Sequence, residues 1–417
     1  MCNNPSGQET LTETKETLQI FMPLPVRVAR VVFSRCVRED RMGMAQAPDI
    51  VDFNLHDLVG IRLLDPRPGD VRALTRQLGP IQRPLSAPPD IVIRFVEHMP
   101  ASSPLRTLGM GEAAFSADDF FVLRSKHKAQ ARVRLSLDQP GAGPCEIVCE
   151  SGLPAVPLLI PLINLTMVAK GVLPLHAAAF TCDGVGVVAT GWSKGGKTEA
   201  LLAFMRHGAH YVGDEWVYLP ADDSRALGIP EPIRLWDWYL RQLPDLRARL
   251  SRGDRWRLGV LRGIAALRQR VPAIVPGRLA RFLERQRYAD LDPRAIFPAE
   301  RCTLAGRFDR LFWMVTHDAP TIEVSPVSAQ EIAERMVHSL LYEWLPFMEW
   351  YHMYRFAFPD RRNDLVETLE ERLTALLNEA LAGKDAYTVA HPYPVDLAAL
   401  FAAMQPLVEN GAHRGNV

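Results

Sequence analysis

Eight consecutive residues, Gly191-Trp192-Ser193-Lys194-Gly195-Gly196-Lys197-Thr198, spell a complete GxxxxGK[ST] loop. Glycines at these positions let a backbone wrap an anion, so that unpaired N–H groups of the loop and of the following helix start point at phosphate oxygens. The spacing makes all eight a nucleotide-binding set, with Lys197 on the β and γ phosphates of a nucleoside triphosphate and the Thr198 hydroxyl on Mg²⁺. Trp192 offers a lid or stacking surface over the nucleotide. Phosphoryl transfer also needs a group to hold metal and a group to orient or deprotonate the attacking hydroxyl, and the next acidic pair, Asp214-Glu215, supplies the candidates.

These residues need elements to carry them. Gly186–Thr190 reads as a short buried strand before the loop, and Glu199–Arg206 as an amphipathic helix ending near Gly208. A second strand, His210–Val212, runs into Gly213-Asp214-Glu215 and should place the acids at the carboxyl end of a strand neighbouring the loop, the edge where α/β sheets bind ligands. A third, Leu311–Val315, ends in Thr316-His317-Asp318. An apolar strand ending in aspartate is another way to hold Mg²⁺, so Asp318 is the ligand expected if the protein is a nucleotide-dependent ATPase or switch instead of a transferase.

The run Leu175-His176-Ala177-Ala178-Ala179-Phe180, the strand from Gly184 into the loop, and Arg206-His207-Gly208-Ala209-His210-Tyr211-Val212-Gly213-Asp214-Glu215 together resemble the catalytic core of HPr kinase/phosphorylase. The resemblance covers about 40 residues closely, and the Gly228–Arg234 segment more loosely. It implies an α/β fold: a P-loop kinase domain of the HPr kinase/PEP carboxykinase-like type, preceded by a smaller α+β domain. By the same resemblance Asp214 is the general base, His176 acts near the transferred phosphoryl group, Lys197 and Thr198 are the phosphate and metal ligands, and Glu215 and Glu231 belong to the metal site. Lys194 and Trp192 depart from the family's loop, and its downstream signature is not recognisable.

With 417 residues the chain accommodates two domains. Residues 1–17 are polar and without periodicity, a disordered tail. The α+β domain spans 18–150, with strands at Val26–Val32, Asp90–Val96, Phe120–Leu123, Ala131–Leu137 and Glu146–Cys149, and a capped helix after Pro68-Gly69-Asp70. Residues 151–417 form the nucleotide-binding domain. Within it lie an arginine-rich helical insertion (about 236–290) and a helical carboxyl-terminal part with helices at Ala329–Leu345, opened by Ser328, and Leu365–Leu381. Lysine plus arginine equals aspartate plus glutamate, 48 against 48, which gives no global field for nucleic acid or an anionic membrane. Prolines interrupt the apolar stretch Leu153–Leu175, so a buried helix near Leu158–Lys170 is expected there instead of a span. The cysteines lack a CxxC pair and no secretory leader is visible, which points to the cytoplasm. Cys145 and Cys149 read as buried thiols.

The expected function is ATP- and Mg²⁺-dependent phosphorylation of a hydroxyl, most simply a serine, on a protein, peptide or small-molecule acceptor. About a dozen arginines between Arg241 and Arg287 would dock that acceptor or close over phosphates. Composition leaves a homo-oligomer open.

Overall fold

The computed structural model describes residues 49–99, 104–124, 130–221, 223–270 and 277–412. The tail 1–17 and the strand expected at Val26–Val32 lie outside them. The described residues make one compact unit.

The first sheet contains β1 (Ile50–Leu55), β2 (Val59–Leu64), β3 (Ile91–Val96), β4 (Arg106–Leu108), β5 (Ala113–Phe115), β6 (Phe120–Arg124), β7 (Gln130–Leu135) and β8 (Cys145–Glu150). Their order is β1-β2-β3-β8-β7-β6-β5-β4, with β2, β3 and β8 parallel and the other pairs antiparallel. Strand β2 alternates buried and half-buried positions, burying Val59, Ile61 and Leu63, as a sheet wet on one face requires. The wet face carries cross-strand ion pairs such as Arg62–Asp52 and Arg94–Glu146. Helix α1 (Pro68–Leu78) crosses from β2 to β3. Asp70 caps it by accepting the Arg67 N–H at 2.9 Å, and its other oxygen takes Gly152 N–H at 2.7 Å. Cys145 and Cys149 share the dry face with Ile147, and burial pushes the Cys145 thiol up to about 12.

Helix α2 (Leu159–Ala169) follows, buried on nearly every side, where the prolines exclude a membrane span. The second sheet then begins: β9 (Val172–Cys182), β10 (Val185–Thr190), helix α3 (Lys197–Arg206), β11 (His210–Gly213), β12 (Trp216–Pro220) and β13 (Arg225–Gly228). The insertion opens with β14 (Ile233–Trp236). Helices α4 (Asp237–Gln242), α5 (Pro244–Arg249), α6 (Arg252–Arg270) and α7 (Gly277–Glu284) follow. It closes with β15 (Tyr288–Leu291), which pairs with β14, and α8 (Pro293–Ile296). The main chain resumes with β16 (Ala305–Arg307), β17 (Arg310–His317), β18 (Glu323–Pro326), α9 (Ala329–Ala357), α10 (Asp364–Glu367), α11 (Leu369–Leu381), β19 (Asp385–Pro392) and α12 (Leu397–Ala412). The nine-stranded sheet runs β16-β13-β12-β9-β10-β17-β19-β18, with β11 also on β9; β10, β17 and β19 are parallel. The molecule is therefore mixed α/β, built on two large mixed sheets.

The second sheet is buried on both faces. Val187, Ala189, Phe180 and Phe312 point to a core shared with α3 and α12, whereas Val188, Ala177, Ala179 and Leu311 point to one shared with α2, α9, α11 and the first sheet. That is why β9 and β10 read as nearly unbroken apolar runs. Helix α9 continues through Pro346 for 29 residues, beyond the Leu345 end expected from sequence. Ser328 caps it, accepting Glu331 N–H at 3.1 Å, while the Glu331 carboxylate pairs with Arg335. Its far end carries Tyr351, Tyr354 and Phe358 into the core beneath the first sheet, where the Tyr354 hydroxyl meets Ser136 at 2.8 Å and Asp138 at 2.9 Å. The helix expected over Leu365–Leu381 is two helices divided at Thr368. Among the described residues no helix is long and apolar enough to cross a membrane.

Candidate functional site

Strand β10 hands the chain to the glycine loop and the loop to α3, in the order the motif requires. Gly196 precedes the helix at φ 113°, a left-handed conformation that favours glycine. The loop is tightly backed: a Cβ on Gly195 would stand 3.1 Å from the Met314 carbonyl, and one on Gly196 only 2.1 Å from the His391 ring. Lys197 is 6 % exposed and its ammonium lies over the loop, donating to the Trp192 carbonyl at 3.0 Å and to that of Gly191 at 3.3 Å. Burial lowers its pKa against the pull of Glu215 and Asp214. Ser193 is half-buried and Lys194 is exposed, its ammonium 5.9 Å from the centroid of the Trp236 ring.

The acids reach the loop by a route different from the expected one. Strand β9 forms a hairpin with β10, so it stands between β10 and the strand bearing Asp214-Glu215. Strands β11 and β12 pair one after the other along β9, and Asp214-Glu215 is the kink between them, opposite Ala177, whose N–H donates to the Glu215 carbonyl. The acids do follow directly on the carboxyl end of β11, as expected, but that strand is separated from β10 by β9 instead of lying next to it. A register shift before them and a left-handed Glu215 (φ 72°) turn the two side chains into the site.

Asp214 is 3 % exposed, and the Thr198 hydroxyl lies 3.1 and 3.2 Å from its two carboxylate oxygens. Burial and the Glu215 carboxylate push it up to about 7, against the Thr198 hydrogen bond, Lys197 and His176. Glu215 pairs with His176 Nε2 at 2.9 Å. Burial opposes its ionisation, but His176, Lys197 and Arg234 outweigh that and hold it well below the usual carboxylate range. Glu231, half-buried after β13, is raised to about 8 by burial and by the charges of Glu215 and Asp214. The first sheet braces this segment: His56 Nε2 lies 2.7 Å from the Gly228 carbonyl, and Gly79 abuts Pro230.

Glu343 is a site residue that the sequence did not single out. Glu343 of α9 places Oε1 3.0 Å from His176 Nδ1, so the imidazole stands between two carboxylates. Burial and Lys197 lower the His176 pKa, and the two carboxylates more than offset them, leaving it raised. The available signal was an acid on the helix face that also carries Ile332, Met336 and Phe347, all buried. The same face runs along the loop, with Met336 against the Thr190 hydroxyl, Ser339 3.4 Å from the Gly191 carbonyl, and Tyr342 with its ring centroid 4.9 Å from that of Trp192. Trp192 is half exposed over this contact.

Thr198, Glu215 and Glu231 offer hard oxygen donors of the kind that suit Mg²⁺, and the crowding of carboxylates that raises Glu231 is what a divalent cation would relieve. Among the described residues no group of three or more His, Cys, Asp or Glu side chains is placed to hold a metal ion. Asp318 stays outside this cluster. It is exposed in the turn after β17, five residues past Trp313, which is level with Thr190.

No family profile matches the chain, and no curated protein is significantly similar to it.

Several arginines of the insertion hold the insertion itself together. Arg262 and Arg287 pair with Asp237, which is 2 % exposed, and Arg257 and Arg249 donate to carbonyls of Tyr288 and Ile296. On β14, Arg234 stacks on Tyr288 at 4.3 Å and pairs with Asp290, and it acts on Glu215 across the mouth of the site. Arg252 and Arg255 remain exposed beside Trp256.

Proposed function

We propose that the protein is an ATP-dependent phosphotransferase of the HPr kinase-like type, acting on the hydroxyl of a protein, peptide or small-molecule acceptor. The observation that carries this reading is the direct hydrogen bond between the loop hydroxyl of Thr198 and a buried Asp214 poised near neutrality. A carboxylate at about 7 ionises where it can still accept a proton from an alcohol during attack, which suits a general base.

In the proposed reaction the Lys197 ammonium leaves the Trp192 and Gly191 carbonyls for the phosphate oxygens. Thr198 and Glu215, with Glu231 nearby, are the residues that would hold a metal ion, and such an ion would supply positive charge to offset that of the phosphates. The acceptor oxygen forms its bond to the γ phosphorus as the bond to the bridging oxygen breaks. Its proton passes to Asp214, and ADP leaves. His176, fixed by Glu343, keeps Glu215 oriented. The exposed arginines around Trp256, with Arg234 at the mouth, would receive the acceptor.

Lys197→Ala removes a charge-assisted contact to phosphate and should weaken binding of a magnesium ATP analogue by about 30–150-fold, the equivalent of about 2–3 kcal/mol. Calorimetric titration of both proteins measures this, and equal affinities would dispose of the nucleotide reading. Incubation with γ-labelled ATP and cell extract should then yield a labelled acceptor. Label recovered only as free phosphate would favour the ATPase or switch instead.

A further inference from the structure

We propose that His391 is a positioning residue of the glycine loop, setting the peptide plane that presents the Gly196 amide to phosphate. The inference rests on the nucleotide reading above. His391 lies far from the motif in sequence, at the carboxyl end of β19, and it is fully buried. Its strand is parallel to β17, which is parallel to β10, so the ring arrives at the same sheet edge as the loop. There Nε2 is 3.0 Å from the Gly195 carbonyl and Nδ1 2.9 Å from that of Pro392.

The carbonyl of Gly195 and the N–H of Gly196 belong to one trans peptide and point in opposite directions. An Nε2–H donor that draws the Gly195 oxygen toward the sheet therefore turns the Gly196 N–H to the open side, where the helix start has its unpaired amides. Without that donor the peptide is free to flip and set a carbonyl dipole against the phosphate. The ring also fills the space a Cβ at Gly196 would need, so it holds the loop by shape as well as by hydrogen bonding.

The test compares two amides of different length. The Gln side chain places its nitrogen about where Nε2 is and can still reach Gly195; the Asn nitrogen falls near Nδ1 and can serve Pro392 only. Titration with magnesium and a non-hydrolysable ATP analogue should find His391→Gln within about threefold of the parent protein and His391→Asn about tenfold weaker, at unchanged stoichiometry. A role limited to scaffold stability would instead lower the binding-competent fraction while leaving the Kd of the folded molecules alone, and that result overturns the proposal. So does equal affinity of both variants and parent. If the parent binds no analogue and matches Lys197→Ala, the nucleotide reading itself falls and takes the role of His391 with it.

Discussion

Asp214→Asn should bind magnesium nucleotide nearly as well as the parent protein and yet lose about 10²–10⁴-fold in phosphoryl transfer. The amide oxygen can still accept the Thr198 hydrogen bond, and Glu215, held by His176, remains for the metal. What disappears is the ability to take the acceptor's proton. Asp318→Asn should leave transfer almost unchanged, because Asp318 lies exposed beyond the level of the loop. Labelled acceptor and free phosphate would be followed together at saturating ATP. Hydrolysis that collapses only in Asp318→Asn, with no labelled acceptor in any sample, would reverse the assignment in favour of an ATPase.

The second large effect is on stability. In the absence of divalent cations the melting temperature should fall as pH rises from 5 to 8. Asp214, raised to about 7, and Glu231, raised to about 8, bind protons in the folded state that the unfolded chain has already released. Stability therefore declines with pH between the ordinary carboxylate range and those values. Glu199, raised by burial, adds to the same trend, and His176, raised by its two carboxylates, loses its contribution as pH passes its folded pKa. His56, lowered by burial, works in the opposite direction, while the lowered Glu215 and Glu343 lose their contributions only below the window. Magnesium should recover more at pH 8 than at pH 5, because it binds the ionised carboxylates. Scans in EDTA and in magnesium check both statements, and a flat or rising curve in EDTA would contradict them. Glu231→Gln should flatten the profile without touching the loop.

The loop, its strand and its helix could be read from the sequence because glycine geometry, the lysine and the apolar flanks are local properties. The Asp214-Glu215 pair was legible as acids near the loop, but their path was not: the intervention of β9 follows from a hairpin pairing that local periodicity does not encode. Glu343 and His391 are distant in sequence and come to the loop only through α9 and the parallel arrangement of β10, β17 and β19. Pro346 hid the length of α9, since a proline normally ends a helix; here Trp344, Phe347 and Tyr351 are buried on both sides of it and hold the helix together. Strand β2 was a simpler omission, because Val59, Ile61 and Leu63 alternate plainly.

Helix α9 touches the glycine loop with Met336 and Ser339 and, four turns on, anchors Tyr351 and Tyr354 in the core beneath the first sheet. A helix anchored at both ends should make the two halves of the molecule unfold as one body, so no clean cut is expected near residue 150. A fragment beginning there would expose a row of aromatic rings to water and lose the brace behind Gly228 and Pro230. Occupancy of the loop should consequently slow hydrogen exchange of amides in β6 and β7, remote from any phosphate, and an amino-terminal sheet deaf to nucleotide would show that the helix does not carry the load.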